Sequence, residues 1–158
     1  MTETVKPNLT NFVHFLAFGF GSGMFPKAPG TAGTLVAILP WLWLSQQNLT
    51  TYLIILAAAI LFGIYICDKT SRDLGVADHP GIVWDEFCGL WLAMVAIPVT
   101  WYWLVIGFLL FRFFDIVKPW PISWLDKNIH GGLGIMLDDL LAAVYTWLVL
   151  QLLIYYEI

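Results

Sequence analysis

Apolar residues fall into five runs along the chain, at about 34–45, 51–67, 87–97, 99–114 and 136–156. The connections between them are of two kinds. SQQNLT (45–50) and IPVT (97–100) are short and uncharged. FGSGMFPKAPGTAG (20–33), DKTSRDLGVADHPGIVWDE (68–86) and FRFFDIVKPWPISWLDKNIHGGLGIMLDD (111–139, overlapping the fourth run) are long and crowded with glycine, proline and charge. A helix that crosses a bilayer needs about 20 apolar residues. Only the last run reaches that length, and the shorter ones suit re-entrant hairpins or buried core helices. Pro98 interrupts the stretch 87–114 and predicts a hairpin turn there. The expected fold is all-α: a polytopic membrane bundle with short, partly re-entrant or hairpin helices and a polar site on one face.

Parity sorts the faces. If each run crosses once, the three crowded connections share one side, and all seven Lys and Arg (Lys6, Lys27, Lys69, Arg72, Arg112, Lys118 and Lys127) lie there. The positive-inside tendency makes that side cytoplasmic. The N-terminus then lies inside, and the C-terminus, with only Glu157, outside. The opening MTETVKPNLTNFVHFLAFGF has no basic n-region and no clear cleavage site after its short apolar patch, so it is read as part of the mature protein.

Composition agrees with the pattern. At 60% hydrophobic and 11% charged, the chain carries less than half of the roughly 25% charge of a soluble domain. Its 158 residues suit a single domain, 1–158. A net charge of −4 lacks the basic stripe that nucleic acid requires. Cys67 and Cys88 read as small buried hydrophobes, with no CxxC spacing or Cys/His cluster to hold a metal. Trp120 and Trp124, near Lys118 and Lys127, suit a segment lying at headgroup level, and Trp101 with Trp103 would mark the opposite interface.

Acids are rare here, and four of them come in adjacent pairs: Asp85-Glu86 and Asp138-Asp139, each at the entrance to an apolar run. An acid at a helix start gains about 0.3–1 kcal/mol from the macrodipole or from capping. Neighbouring helical residues point about 100° apart, so one acid of each pair is left without that role. Four carboxylates brought together repel unless a cation sits among them, and Mg²⁺, a hard ion that takes oxygen ligands, is the natural candidate. Arg112, Asp115 and Lys118 follow at spacings of three, on one broad helical face. They suit either an ion pair at a membrane boundary or a phosphate grip with Asp115 on metal or water.

The stretch GFGSGMFPKAPGTAGTL holds five glycines and two prolines within residues 19–33, and predicts a sharp turn into a helix whose N–H groups face an anion. Thr31 and Thr34 are placed to cap that helix or to touch phosphate. A Walker A loop does not fit this stretch. Cys followed by five residues and Arg is missing, as are D-x-D and G-x-S-x-G. His79 and His130 lie on the crowded side, suited to loop packing or proton transfer; His14 stands apart.

GFGSGMFPKAPGTAGTL, DHPGIVWDEFCGLW, FRFFDIVKPWPISWLD and HGGLGIMLDDLLAAV, in this order, resemble the phosphatidylglycerophosphatase A family from about residue 15 to 147. The resemblance implies a magnesium-dependent lipid phosphatase of the bacterial inner membrane, acting in phospholipid biosynthesis. Its reaction removes the terminal phosphate of phosphatidylglycerophosphate. Carried onto this chain, the family's motifs single out Gly30, Thr31, Gly33, Arg112 and Lys118 for phosphate, and Asp85, Glu86, Asp138 and Asp139 for metal. Asp85, Asp115 and Asp138 are implied to act in catalysis. Asp78 shares a segment with Asp85, and Lys27 lies just outside the PGT core. Two alternatives stand beside this: a CDP-alcohol phosphotransferase, whose spaced aspartates with DG and AR are missing here, and a non-enzymatic membrane carrier or assembly protein.

Overall fold

The computed structural model describes residues 6–156, so Glu157 and the extreme ends assigned to opposite faces above lie outside the described residues. These residues form seven α-helices, one 3-10 turn at Ser22–Met24 and no strand. The helices are α1 (Phe12–Ala17), α2 (Pro29–Leu44), α3 (Leu49–Leu74), α4 (Trp84–Ala93), α5 (Trp101–Val117), α6 (Ile122–Asn128) and α7 (Gly131–Tyr155).

Local chemistry sets the ends of these helices. The Asn48 side chain accepts a hydrogen bond from the Thr51 N–H at 2.8 Å and opens α3. Gly75, at φ +68°, closes it in the left-handed conformation that costs glycine little. The helix runs two turns beyond the apolar run that ends at Cys67, because Asp68 pairs with Arg72 and Lys69 with Asp73 at i,i+4. Residues 68–74 therefore belong to α3 rather than to the connection. In the same way α5 carries FRFFDIV to Val117, and α7 begins at Gly131. Asp138 and Asp139 lie two turns inside α7, not at its start, so neither caps it. That start is served instead by Asp68, whose Oδ1 accepts from the Gly132 N–H at 3.1 Å.

The short helix α4 sits at the centre, packed against α2, α3, α5 and α7. Nine of its ten residues are buried, so it is core on every face. At about 1.5 Å per residue it reaches about 15 Å, half the thickness of a bilayer core. Indole N–H groups tie it and its neighbours together: Trp84 donates to Ala59 O and Trp91 to Ala37 O, both at 3.0 Å. Trp147 donates to Val95 O at 2.8 Å. Trp103 is buried in this packing rather than set at an interface, while Trp101, Trp120 and Trp124 are exposed. Both cysteines are free and buried.

Two helices, α3 and α7, are long and apolar enough to cross a membrane. Only 22% of the most apolar window of α3 is buried, so its hydrophobic side chains face outward. Exposed apolar area on this scale marks a lipid-facing or docking surface rather than a soluble exterior, and suggests membrane association. After α4 the chain turns at Met94–Thr100, with Pro98 in the turn, and returns along α5.

Close helix approach depends on small residues. At Gly132 an added Cβ would lie 2.0 Å from the Ile64 carbonyl oxygen, and at Gly89 2.4 Å from the Phe111 ring. A backbone oxygen cannot swing aside as a side chain can. Gly132→Ala is expected to cost about 1–3 kcal/mol, read as a lowered midpoint of thermal unfolding in detergent.

Candidate active site

Four helices deliver polar groups to one end of the bundle. From α2 come Gly30 and Thr34, one turn apart and facing α4. The helix enters through Ala28, at φ +49°, with Pro29 in its first turn. A Cβ on Gly30 would lie 3.0 Å from Glu86 Oε1 and 3.2 and 3.3 Å from the two terminal nitrogens of Arg112. Glycine therefore lets the α2 backbone border the polar cluster directly. Thr34 donates to Gly30 O at 2.8 Å, and its Oγ1 lies 3.3 Å from Glu86 Oε2. It is an interior residue of α2 that steadies Glu86, not a cap.

Asp85 and Glu86 stand in the first turn of α4, as the sequence pattern predicts. Arg112 of α5 reaches Glu86 Oε2 at 3.1 Å and also pairs with Asp115, three residues on. Lys118, in the left-handed conformation that ends α5, extends its Nζ to Asp138 Oδ2 at 2.8 Å, with Asp115 at 3.9 Å and Asp126 of α6 at 4.0 Å. Burial works against the charge on Lys118, but the carboxylates of Asp138 and Asp115 outweigh it and hold its proton affinity well above the ordinary lysine value.

Asp85, Glu86, Asp115, Asp138 and Asp139 are all buried, Asp139 to 2% exposure. Against these five carboxylates stand two cations, Arg112 and Lys118, a formal excess of three negative charges. Their oxygens form two groups, each within 4.8 Å: Asp85 with Asp138 and Asp139, and Glu86 with Asp115 and Asp139. Asp139 belongs to both. Asp85 Oδ1 and Asp139 Oδ2 are buried without a hydrogen-bond partner. An unmet buried carboxylate oxygen is costly. Unmet oxygens on two members of an all-oxygen donor set fit a hard divalent cation such as Mg²⁺. Arg112 Nε is likewise buried with no partner, a donor left free on a residue whose other arm is engaged.

The other singled-out residues fall around this centre. Gly33 packs its backbone against Val83, 2.6 Å from where a Cβ would sit. Thr31 and Lys27 line a neighbouring groove. Asp78 borders a small recess with Asp126 and His130. Burial, and then the charge of Asp126, raise its proton affinity above that of an ordinary aspartate. His79 accepts from the Gly81 N–H at 2.9 Å and packs on Phe18, which accounts for it as a loop staple. His14 lies elsewhere, against Asp73 at 2.9 Å. Nothing in the motif spacing singles out Asp126 or Asp68. The contact of Asp68 with the start of α7, and that of Asp126 with Lys118, exist only once α6 and α7 are placed.

Comparison with known proteins bears on this arrangement. The sequence profile of the phosphatidylglycerophosphatase A family matches residues 15–154. A phosphatidylglycerophosphatase A from Escherichia coli (strain K12) is 46% identical, over 87% of this chain and 81% of the relative. One from Haemophilus influenzae is 49% identical, over 91% of this chain and 90% of the relative. A third relative, from Bacteroides thetaiotaomicron, is 43% identical over 84% of this chain and 87% of its own length, and is provisionally named a phosphatidylinositol-3-phosphatase. No solved structure matches the chain. On the family match and these identities, the chain is an enzyme of the phosphatidylglycerophosphatase A family.

Proposed function

We propose that the chain hydrolyses the terminal phosphomonoester of phosphatidylglycerophosphate to phosphatidylglycerol and phosphate. The reaction would run at the cytoplasmic face of a bacterial inner membrane, as a step of phospholipid biosynthesis with Mg²⁺ as cofactor. Family membership sets aside the CDP-alcohol phosphotransferase and the non-enzymatic carrier. The observation that carries the residue assignments is the pair of buried carboxylate groups sharing Asp139, with Arg112 and Lys118 in contact with them.

Asp85, Asp138 and Asp139 would hold the metal, since that group contains both residues that carry an unpartnered oxygen, and Glu86 with Asp115 offers a second position around Asp139. Bound there, Mg²⁺ would offset charge on the phosphate and lower the pKa of a nearby water. Arg112, with Nε unused, binds phosphate oxygens, and Lys118 adds a point charge beside them. Both stabilise charge on the equatorial oxygens as water attacks phosphorus in line and the bond to the glycerol oxygen breaks. Asp115 orients the water, and the departing oxygen is protonated from solvent. Gly30 keeps the α2 backbone close enough to border the phosphate.

In the bilayer, α3 and α7 would cross, and α4 would enter from the site face and turn back through Met94–Thr100 into α5. Single cysteines at Arg72 and Lys127 are expected to react with an impermeant thiol reagent only from the cytoplasmic side, and one at Gln46 only from outside. The reverse pattern would overturn the orientation.

Phosphate release from phosphatidylglycerophosphate in mixed micelles is expected to stop with chelator and return with Mg²⁺. Asp139→Asn should lower kcat by about a hundredfold or more, and should weaken Mn²⁺ binding measured by electron paramagnetic resonance. Near-normal values in both assays would remove Asp139 from the metal site. Arg112→Lys keeps the charge but loses the planar fork, and is expected to raise KM roughly tenfold. Activity on phosphatidylinositol 3-phosphate with none on phosphatidylglycerophosphate would transfer the same site chemistry to the other headgroup.

A further inference from the structure

Beside the carboxylate centre, on the far side of the α2 entrance, runs a groove of about 460 Å³, lined by Gly21, Phe25, Lys27, Thr31, Leu35 and Val36 among others. Its size lies within the range of small-ligand pockets, roughly 300–1,000 Å³. It begins next to the site, because Thr31 directly follows Gly30, whose backbone borders Glu86 and Arg112. From there Thr31, Leu35 and Leu39 succeed one another at i,i+4 along α2, leading away from the polar end. Leu35 and Leu39 are 53% and 68% exposed, and Phe25 on the opposite wall is 59% exposed. At the polar mouth stands Lys27, exposed and in no ion pair among the described residues. The groove is thus apolar along its length and cationic at the end nearest the site.

Given the lipid phosphatase reaction proposed above, on which this rests, the substrate carries two phosphates. One is the terminal monoester; the other is the internal diester, one glycerol away, from which the acyl chains continue. We infer that the groove between α2 and the Gly21–Phe25 segment holds an acyl chain of the substrate lipid, with Lys27 at its mouth binding the internal diester phosphate. The charge at the mouth and the continuity with Gly30 match the order monoester, diester, acyl chain. Bulk lipid would meet α2 without needing a cation placed beside the reacting group.

The test uses the full-length chain in mixed micelles. Lys27→Glu is expected to raise KM for phosphatidylglycerophosphate roughly tenfold, with kcat changed by less than about twofold. Lys27→Arg should keep the wild-type KM, and Lys69→Glu, the same reversal on exposed surface at the end of α3, should leave it unchanged. A substrate with a diazirine in its acyl chain should crosslink to residues 25–39 in the wild type and less in Leu35→Trp, which fills the groove. Unchanged KM in Lys27→Glu, an equal rise in Lys69→Glu, or crosslinks confined to other helices would overturn the inference while wild-type activity upholds the function. Equal labelling of residues 25–39 by a diazirine phosphatidylcholine would also overturn it. A wild-type chain that releases no phosphate from the lipid overturns the function and the inference together.

Discussion

A carboxylate taken out of water costs several kcal/mol unless a cation or a hydrogen-bond donor meets it, and this fold takes five of them out together. Arg112 and Lys118 answer part of that demand, each touching acids that come from different helices. Arg112 joins α5 to α4 through Glu86, and Lys118 joins the end of α5 to α7 through Asp138. The polar end of the bundle is therefore held by the same contacts that assemble the site. Two oxygens, on Asp85 and Asp139, are left without partners, and that unmet demand is what the proposed cation and phosphate would answer in a centre that is not a finished ion-pair network.

Such a centre needs a support that excludes water and does not yield, and α4 supplies it. Being short, it places Asp85 and Glu86 at the polar end while the rest of the helix is walled in by α2, α3, α5 and α7. Its indole N–H groups reach backbone carbonyls of neighbouring elements, which fixes depth as well as contact. Glycines at Gly89 and Gly132 bring the surrounding backbones close. Gly30 does for the site what these do for the core: it removes a side chain so that α2 borders the charged groups.

Much of this was legible in the residues. Asp85 and Glu86 do open their helix, Pro98 does break the chain before α5, and the family motifs lie where the polar end forms. The polar tail of α3 was harder to assign, because i,i+4 ion pairs sustain a helix after the apolar run stops. Asp138 and Asp139 carried the opposite difficulty: their apolar run starts near them, yet the helix starts at Gly131, where Gly132 packs on Ile64 and is capped by Asp68. Gly33 and Trp103 have their neighbours in Val83 and the core, which no local pattern reveals.

By itself, the order of residues determined the helical class, the segregation of every Lys and Arg from the bare connections, and the family, because periodicity, composition and motif spacing are properties of the chain alone. Only the tertiary structure decided that Asp139 stands in both carboxylate groups, that Thr34 steadies Glu86, and that Thr31 and Lys27 turn toward a separate groove. Those are outcomes of how deep each helix sits and which face it turns. Depth and rotation are set by packing against partners distant in sequence, where two turns of helix separate a carboxylate at a cap from one in the buried cluster.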